Sequence, residues 1–452
     1  MPSPGLCRAT LRILCRSTLL TLQTRHSLLC LLLRHHIEGE DIMSQFFTIA
    51  SVPPHMYEGP LGSLLPAYAV LLSQQGYTQQ SAHLQLRFLA DLSQWLHRQR
   101  LQIADIREPT LHRYLQSRYQ RFRPRRDDTS ILKRLLHLLH TEGLLPKAPP
   151  PVGNPRQRIE NDFDRYLSEE RGLSMATRIN YRPFIQRFLS AQFGTNPIRF
   201  TALHAKDVIR FIRNHAPRMS PKRTGLMVTA LRSFFRYLRH RGDITTDLAA
   251  CVPPIANWHF SSLPKFLQPI QVQRILSQCD RQTAQGRRDY AILLLLTRLG
   301  LRACEVVALT LDDIHWQAGE IIIRGKGSRW ARLPLPPDAG QALAAYLKKD
   351  RPPCSTRRLF IRLKAPRHGF ANSIAISTLV ARALKKAGIN SPYKGAHLFR
   401  HTLATQMLRQ GASLADIAQL FRHQSFNTTT LYAKVDLAAL RPLAQPWPGG
   451  AQ

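Results

Sequence analysis

Two proline-rich stretches decide how this chain can be built. Pro146-Lys147-Ala148-Pro149-Pro150-Pro151, and later Val252-Pro253-Pro254 through Leu263-Pro264, cannot lie inside helices. Proline lacks the amide hydrogen, and its ring clashes with the preceding turn. Between these breaks the apolar residues recur at helical spacing. Leu64, Tyr68, Leu71 and Leu72 form one stripe, and Leu84, Phe88, Leu92 and Leu96 a second. Pro109 opens a third helix through Leu111, Tyr114 and Leu115; Ile131, Leu135, Leu138 and Leu139 form a fourth, closed by Gly143. The next block repeats that layout at a period of about 96 residues: Leu167, Gly172, Thr177, Ile185 and Phe188 shadow Leu71, Gly76, Ser81, Leu89 and Leu92.

The expected organisation is therefore an N-terminal helical domain (43–147, a possible duplicate of the next), a linker (148–158), a second helical domain (159–250), a linker (251–264) and a C-terminal domain (265–452). Residues 1–42 read as lying outside the fold. Leu19 to Leu33 is leucine-rich, but Arg25 and His26 interrupt it, so no apolar span of membrane length exists there. The arginine-rich, acid-free start resembles a transit peptide, yet Met43-Ser44-Gln45 would make a natural start, with Glu38-Gly39-Glu40 a translated ribosome-binding site.

Charge narrows the partner. Against 28 acidic residues stand 64 lysines and arginines, a formal net charge of +36. Such an excess favours a polyanion, and neutralisation of phosphates by Lys and Arg is the sequence-independent part of DNA affinity. The seven cysteines are scattered, with no C-x-x-C pair, which speaks for a reducing compartment and against a zinc ribbon or disulfide scaffold. In the last helix of the second block, Lys222, Arg223, Arg232, Arg236 and Arg239 accompany an apolar stripe of Leu226, Leu231, Phe234 and Leu238. Acids are nearly absent there, so this basic face is a candidate for contact with a DNA backbone, the alternative being a merely solvated face.

The C-terminal domain reads as α+β. Asp289 to Thr297 is an apolar helix broken by Gly300, after which Arg302 opens a short helix through Glu305. Ile314–Trp316, Glu320–Arg324 and Ala331–Leu335 read as strands, with Gly325-Lys326-Gly327-Ser328 a tight turn. Helices resume at Asp338–Lys348 and Ile376–Ala387. Then comes AHLFRHTLATQMLRQGASLADIAQLFRHQSFNTTTLYAKV (396–435), two amphipathic helices separated by Gly411, with Ser413 as N-cap of the second. His397 and Arg400 lie one turn apart on one face. A histidine beside an arginine, followed by His423 and Tyr432, is equipment for a phosphate diester. His397 and His401 have a zinc-ligand spacing, but Leu398 stands where a zinc hydrolase would carry its glutamate, so no metal and no cofactor are expected.

HLFRH, LFRH and LYAKV resemble the C-terminal signature of the tyrosine recombinases, the phage-integrase and Xer-like family. TRLGLRACEVVALTLDDI resembles that family's first arginine box, and IIIRGKGSRWARLPLP its β-hairpin. The likeness runs from Leu267 to Val435 and, more weakly, back to Ile159. It implies a mainly α fold with a small β-sheet: a recombinase catalytic domain preceded by a helical core-binding domain, here with an extra N-terminal helical domain. It also implies an enzyme that cuts and rejoins double-stranded DNA without ATP, through a 3′-phosphotyrosine. On this resemblance Tyr432 is the nucleophile, Arg302 and Arg400 clamp the non-bridging oxygens, and Lys326 protonates the leaving 5′-oxygen. His397 assists proton transfer at Tyr432, His423 hydrogen-bonds a non-bridging oxygen, and Glu305 buttresses the site, while His401 is structural.

One departure stands out: where the family usually has glycine before the second histidine, this chain has Arg422, a further candidate for DNA contact. The resemblance further implies an integrase or transposase of a mobile element, acting as a homotetramer on DNA in the bacterial cytoplasm. A type IB topoisomerase-like enzyme and a catalytically silent DNA-binding regulator are the alternatives.

Overall fold

The computed structural model describes residues 54–145, 154–255, 265–325, 330–423 and 428–435. Residues 1–42, most of both proline linkers, Lys326 and the tail after Val435 lie outside the described residues. The chain forms two compact units, one drawn from residues 1–146 and 262–452, the other from residues 147–261.

In the first unit, α1 (Leu65–Gln74), α2 (Gln79–Arg98), α3 (Glu108–Arg121) and α4 (Asp128–Thr141) pack around their own core of Tyr68, Leu72, Leu86, Leu89, Tyr114 and Leu135. Polar anchors buried among them are satisfied. Arg134 donates to the hydroxyls of Tyr68 (3.1 Å) and Tyr77 (2.5 Å), while Asp91 accepts from Tyr114 (2.9 Å) and Arg118 (2.5 Å). This bundle meets the C-terminal part of its unit where the Arg367 amide donates to the Gln75 carbonyl at 2.9 Å.

The second unit has α5 (Pro155–Glu169), α6 (Met175–Phe193), α7 (Ala205–His215) and α8 (Pro221–His240). Its core is aromatic: Phe163 meets Phe234 at 5.1 Å, and Phe188 meets Phe211 at 5.2 Å and Phe235 at 5.3 Å. These edge-to-face contacts suit the ring quadrupoles. The helices start and stop where the chemistry of their ends requires. Thr78 and Ser174 cap α2 and α6 through their hydroxyls, and Gly76, Gly172, Gly143 and Gly242 each take positive φ at the corresponding turns of the two bundles.

In the C-terminal part of the first unit, α9 (Pro269–Ser277) is followed by α10 (Ala284–Leu299), whose residues Ala291 to Leu296 are all buried. After α11 (Ala303–Ala308), three short strands form an antiparallel meander in the order β1-β2-β3: β1 (Ile314–His315), β2 (Glu320–Arg324) and β3 (Trp330–Pro334). The register pairs Ile321 with Leu333 and Ile323 with Ala331. The third strand starts and ends one residue earlier than its sequence suggests: Trp330 pairs with Arg324 at its start, and past Pro334 the Leu335 amide donates to the Gly319 carbonyl at 2.7 Å. Then follow α12 (Pro337–Lys349), α13 (Ile374–Lys386), α14 (Ala396–Arg409), α15 (Leu414–Phe421) and a 3₁₀ turn, Thr430–Val435. The mainly helical fold with one small sheet is the expected class. Among the described residues no helix is long and apolar enough to cross a membrane.

Candidate active site

The site begins with a glycine. Gly300 ends α10 in the left-handed conformation (φ 55°, ψ 31°), and a Cβ there would come within 2.6 Å of the Phe421 ring. Only glycine therefore lets α10 stop against α15, turning the chain so that Arg302 becomes the N-cap of α11. Glu305, 3% exposed, closes that first turn. Its Oε2 accepts the Arg302 backbone N–H at 2.8 Å, and its Oε1 accepts the Arg302 guanidinium at 2.9 Å.

Arg400 projects from α14 into the same region and is 4% exposed. Its guanidinium donates to the carbonyl of Gly300 (2.7 Å) and to that of Phe421 (2.5 Å), and lies 4.0 Å over the Phe421 ring. Both carbonyls belong to helix ends, whose last C=O groups lack helical partners. One side chain thus fastens the ends of α10 and α15 to α14. Burial, and next the Arg302 charge, lower the Arg400 pKa to about 9, so it keeps its proton at neutral pH.

Beyond Phe421 the chain turns through Arg422, which takes φ 54° and ψ 47°. A left-handed conformation costs a residue with a Cβ about 1 kcal/mol or more, which is why glycine is the easy choice at this position. Arg422 nonetheless holds it, and its Nη2 donates to Glu305 Oε2 at 2.8 Å. The turn delivers His423, whose Nδ1 lies 2.7 Å from the Thr429 hydroxyl. Tyr432 sits in the 3₁₀ turn, 2% exposed, with its hydroxyl 3.0 Å from Nδ1 of His401. Burial pushes that hydroxyl up to about 12, against the pull of Arg400 and Arg302. His401 and His423 are each pushed down to about 4, first by burial and then by neighbouring positive charge. Both rings are therefore neutral at physiological pH.

Of the residues singled out in the sequence, Arg302, Glu305, Arg400, Arg422, His423 and Tyr432 come together, although they span 131 positions of the chain. His397 is exposed one turn before Arg400. Lys326 lies outside the described residues. His401 is the residue the sequence reading passed over. Its sequence position reads as structural; in the fold its ring lies against the tyrosine hydroxyl. The signal was present in the four-residue spacing of the two histidines, but spacing alone does not say which ring faces inward.

The basic residues of α8 are in the second unit. Lys222, Arg223, Arg236 and Arg239 are exposed. Arg239 pairs with Asp247 at 2.8 Å, and Arg232 donates to the Val252 carbonyl at 2.9 Å, so part of this charge is spent within the unit. A concave surface of about 550 Å³ joins Arg223 to Arg187, His215, Arg218 and Met219, adding two arginines that helical periodicity did not reveal.

Comparison with known proteins agrees with this geometry. Residues 265–438 match the phage integrase family, and residues 161–242 match the phage integrase N-terminal SAM-like domain. A protein of Sinorhizobium fredii, y4rA, an integrase/recombinase by name, is 45% identical over 89% of this chain and 97% of its own length. That span is too long to leave out the N-terminal bundle. The tyrosine recombinase XerD of Listeria innocua is 32% identical over 62% of this chain and 95% of its own. Among solved structures, the XerH recombinase bound to palindromic difH superposes with a TM-score of 0.52 at 18% identity, covering 63% of this chain and 83% of that one, which speaks for the fold. Likeness along nearly the whole chain, over a fold of the same kind, makes this protein a member of the phage integrase family: a tyrosine recombinase, an enzyme that cuts and rejoins DNA.

Proposed function

We propose that this chain is a site-specific recombinase of a mobile element, in which Tyr432 attacks a scissile phosphate of double-stranded DNA. The supporting observation is the Tyr432 hydroxyl held 3.0 Å from a neutral His401, beside Arg400 and Arg302. In the reaction the tyrosine oxygen bonds to phosphorus as its proton passes to His401 Nδ1. The bond from phosphorus to the 5′-oxygen breaks, and that oxygen takes a proton from Lys326. The product is a 3′-phosphotyrosine and a free 5′-hydroxyl, and reversal onto another strand's 5′-hydroxyl needs no ATP because the phosphodiester energy is stored in the covalent bond. Arg302 and Arg400 stabilise the charge that grows on the non-bridging oxygens, and guanidinium suits this because it binds bidentately and stays charged. His423 adds a hydrogen bond to one of those oxygens. His397, exposed one turn from Arg400, contacts DNA flanking the phosphate.

Lys222, Arg223 and Arg236, with the basic concavity beside them, bind the DNA backbone. The working assembly is a homotetramer on two recombining sites in the bacterial cytoplasm. The N-terminal bundle, which repeats the capping pattern of α5 to α8, is a duplicate of the core-binding plan.

The test is a nicked suicide substrate, from which the free 5′ fragment diffuses away. The unsubstituted protein should accumulate a denaturation-resistant DNA adduct. Tyr432→Phe should form none while binding DNA within about threefold of normal, since only a buried hydroxyl is lost. An adduct formed by Tyr432→Phe would rule out Tyr432 as nucleophile.

A further inference from the structure

The charge around Glu305 does not balance. Its two oxygens are divided between two guanidiniums, Arg302 on Oε1 and Arg422 on Oε2. Arg400 is close enough that both of the other arginines depress its proton affinity. Three cations therefore surround one carboxylate, in a region where Glu305 and Arg400 are almost wholly buried. Buried polar groups are normally satisfied, and each exception asks for an explanation. Arg422 is such an exception: Nη2 holds Glu305, while Nε and Nη1 are buried and have no partner among the described residues. The same residue occupies a left-handed position that a glycine would fill without strain. Strain and unmet donors in one side chain, at the rim of a reaction site, are the pattern expected where binding of a ligand compensates both.

We propose that Arg422 is a third phosphate-binding guanidinium, whose Nη1 donates to a non-bridging oxygen of the scissile phosphate while Nη2 stays on Glu305. This rests on the reading of Tyr432 as the nucleophile. The charge matches the chemistry. Arg302, Arg400 and Arg422 less Glu305 leave a net charge of two. A phosphodiester carries one negative charge before attack, and the phosphorane formed by the tyrosinate carries two. A site of this charge binds the transition state better than the ground state, which is the condition for catalysis. Glu305 acts here as a yoke: by holding one edge of Arg302 and one of Arg422, it fixes the spacing of the two forks so that their remaining N–H groups converge. A lysine could supply the charge at position 422, but not a rigid planar group whose Nη1 donor is held in place by the neighbouring Nη2 on Glu305.

Single-turnover cleavage of the suicide substrate tests this, using Arg422→Gly, Arg422→Asn and Arg422→Lys. Glycine and asparagine both tolerate the left-handed turn, which offsets part of the loss of the buried ion pair with Glu305, and cleavage is compared at a temperature where the melts show every variant folded. The cleavage rates of the glycine and asparagine variants should drop about 10²- to 10³-fold, with Arg422→Lys between. A second substrate carries a methylphosphonate at the scissile position, which replaces one non-bridging oxygen with a neutral methyl group. On the diastereomer lacking the oxygen that Arg422 holds, Arg422→Gly and the unsubstituted protein should cleave within about threefold of each other, because the interaction is absent from both. If Arg422→Gly is equally impaired on the phosphate and on both methylphosphonates, Arg422 only positions Glu305 and the inference fails. It also fails if the glycine variant cleaves the phosphate at the normal rate. Absence of any adduct with the unsubstituted protein would instead overturn the assignment of Tyr432, and this inference with it.

Discussion

Tyr432 and His401 set the pH behaviour. A hydroxyl pushed up to about 12 by burial stays protonated until it reacts, so it needs a proton acceptor in the transition state. If His401 is that acceptor, as proposed, it acts only while neutral, and its pKa of about 4 keeps it neutral through all of the physiological range. Single-turnover cleavage measured from pH 8 downward should therefore hold until about pH 5 and fall as His401 protonates near 4. A profile falling near the ordinary histidine value of about 6.5 would rule out His401 as the acceptor. His401→Gln should slow cleavage by about 10²- to 10⁴-fold, the usual worth of a general base. Stability carries the same signature. The folded pKa of about 4 lies below the unfolded value of 6.5, so between them the unfolded chain binds more protons. The protein should thus lose stability as pH falls from 6.5 towards 4, and thermal melts of His401→Gln should depend less steeply on pH in that window. Most residues of the site were legible in the sequence because their types are chemically specialised and their order is fixed. The pairing of His401 with Tyr432 was not, since two histidines one helical turn apart differ only in which one tertiary packing buries.

At the scale of elements, what positions the site is the meeting of two helix ends. Arg400 uses the unpaired carbonyls that finish α10 and α15, and the close approach of those ends depends on Gly300. Gly300→Ala would put a methyl group 2.6 Å from the rigid Phe421 ring and impose a positive φ on a residue with a Cβ. Overpacking of this kind costs about 1–3 kcal/mol, and the backbone conflict adds to it. The variant should melt several degrees lower, and it should cleave more slowly even at temperatures where it stays folded, because the Gly300 carbonyl no longer fixes Arg400. A melt unchanged from that of the parent would show that the two helix ends can part without cost. Helix limits were readable from Ser413, Gly143, Gly300 and Gly411, because caps act through neighbours in sequence. The contact of Gly300 with Phe421 crosses 121 positions, and no local rule announces it. In the sequence Arg422 departs from the glycine usual at its place, and only the backbone shows that this place is left-handed.

For the whole molecule the question is where the excess positive charge goes. The N-terminal bundle carries a run of arginines at the end of α3, but they are not equivalent. Arg118 is committed to Asp91 and lies over Phe88, with Arg121 3.7 Å from the same carboxylate. Arg123, Arg125 and Arg126 remain exposed on the segment leading to α4. If the bundle extends the grip on DNA, these three contact phosphates and release counterions on binding, each steepening the plot of log affinity against log salt by about 0.9. Replacing all three with glutamine should flatten that slope by about 2 to 3 and shorten the protected footprint, while cleavage of pre-bound substrate at low salt persists. Substitution is a cleaner probe than deletion, because the bundle is joined to the catalytic part through Gln75 and Arg367, and removing it would expose that contact. Arg118→Gln serves as the contrast. It should lower the melting temperature by breaking a half-buried ion pair, and leave the salt slope unchanged. If the triple variant keeps the full slope yet fails to pair two DNA sites, the bundle acts on a neighbouring protomer, and the exposed arginines serve assembly instead of DNA.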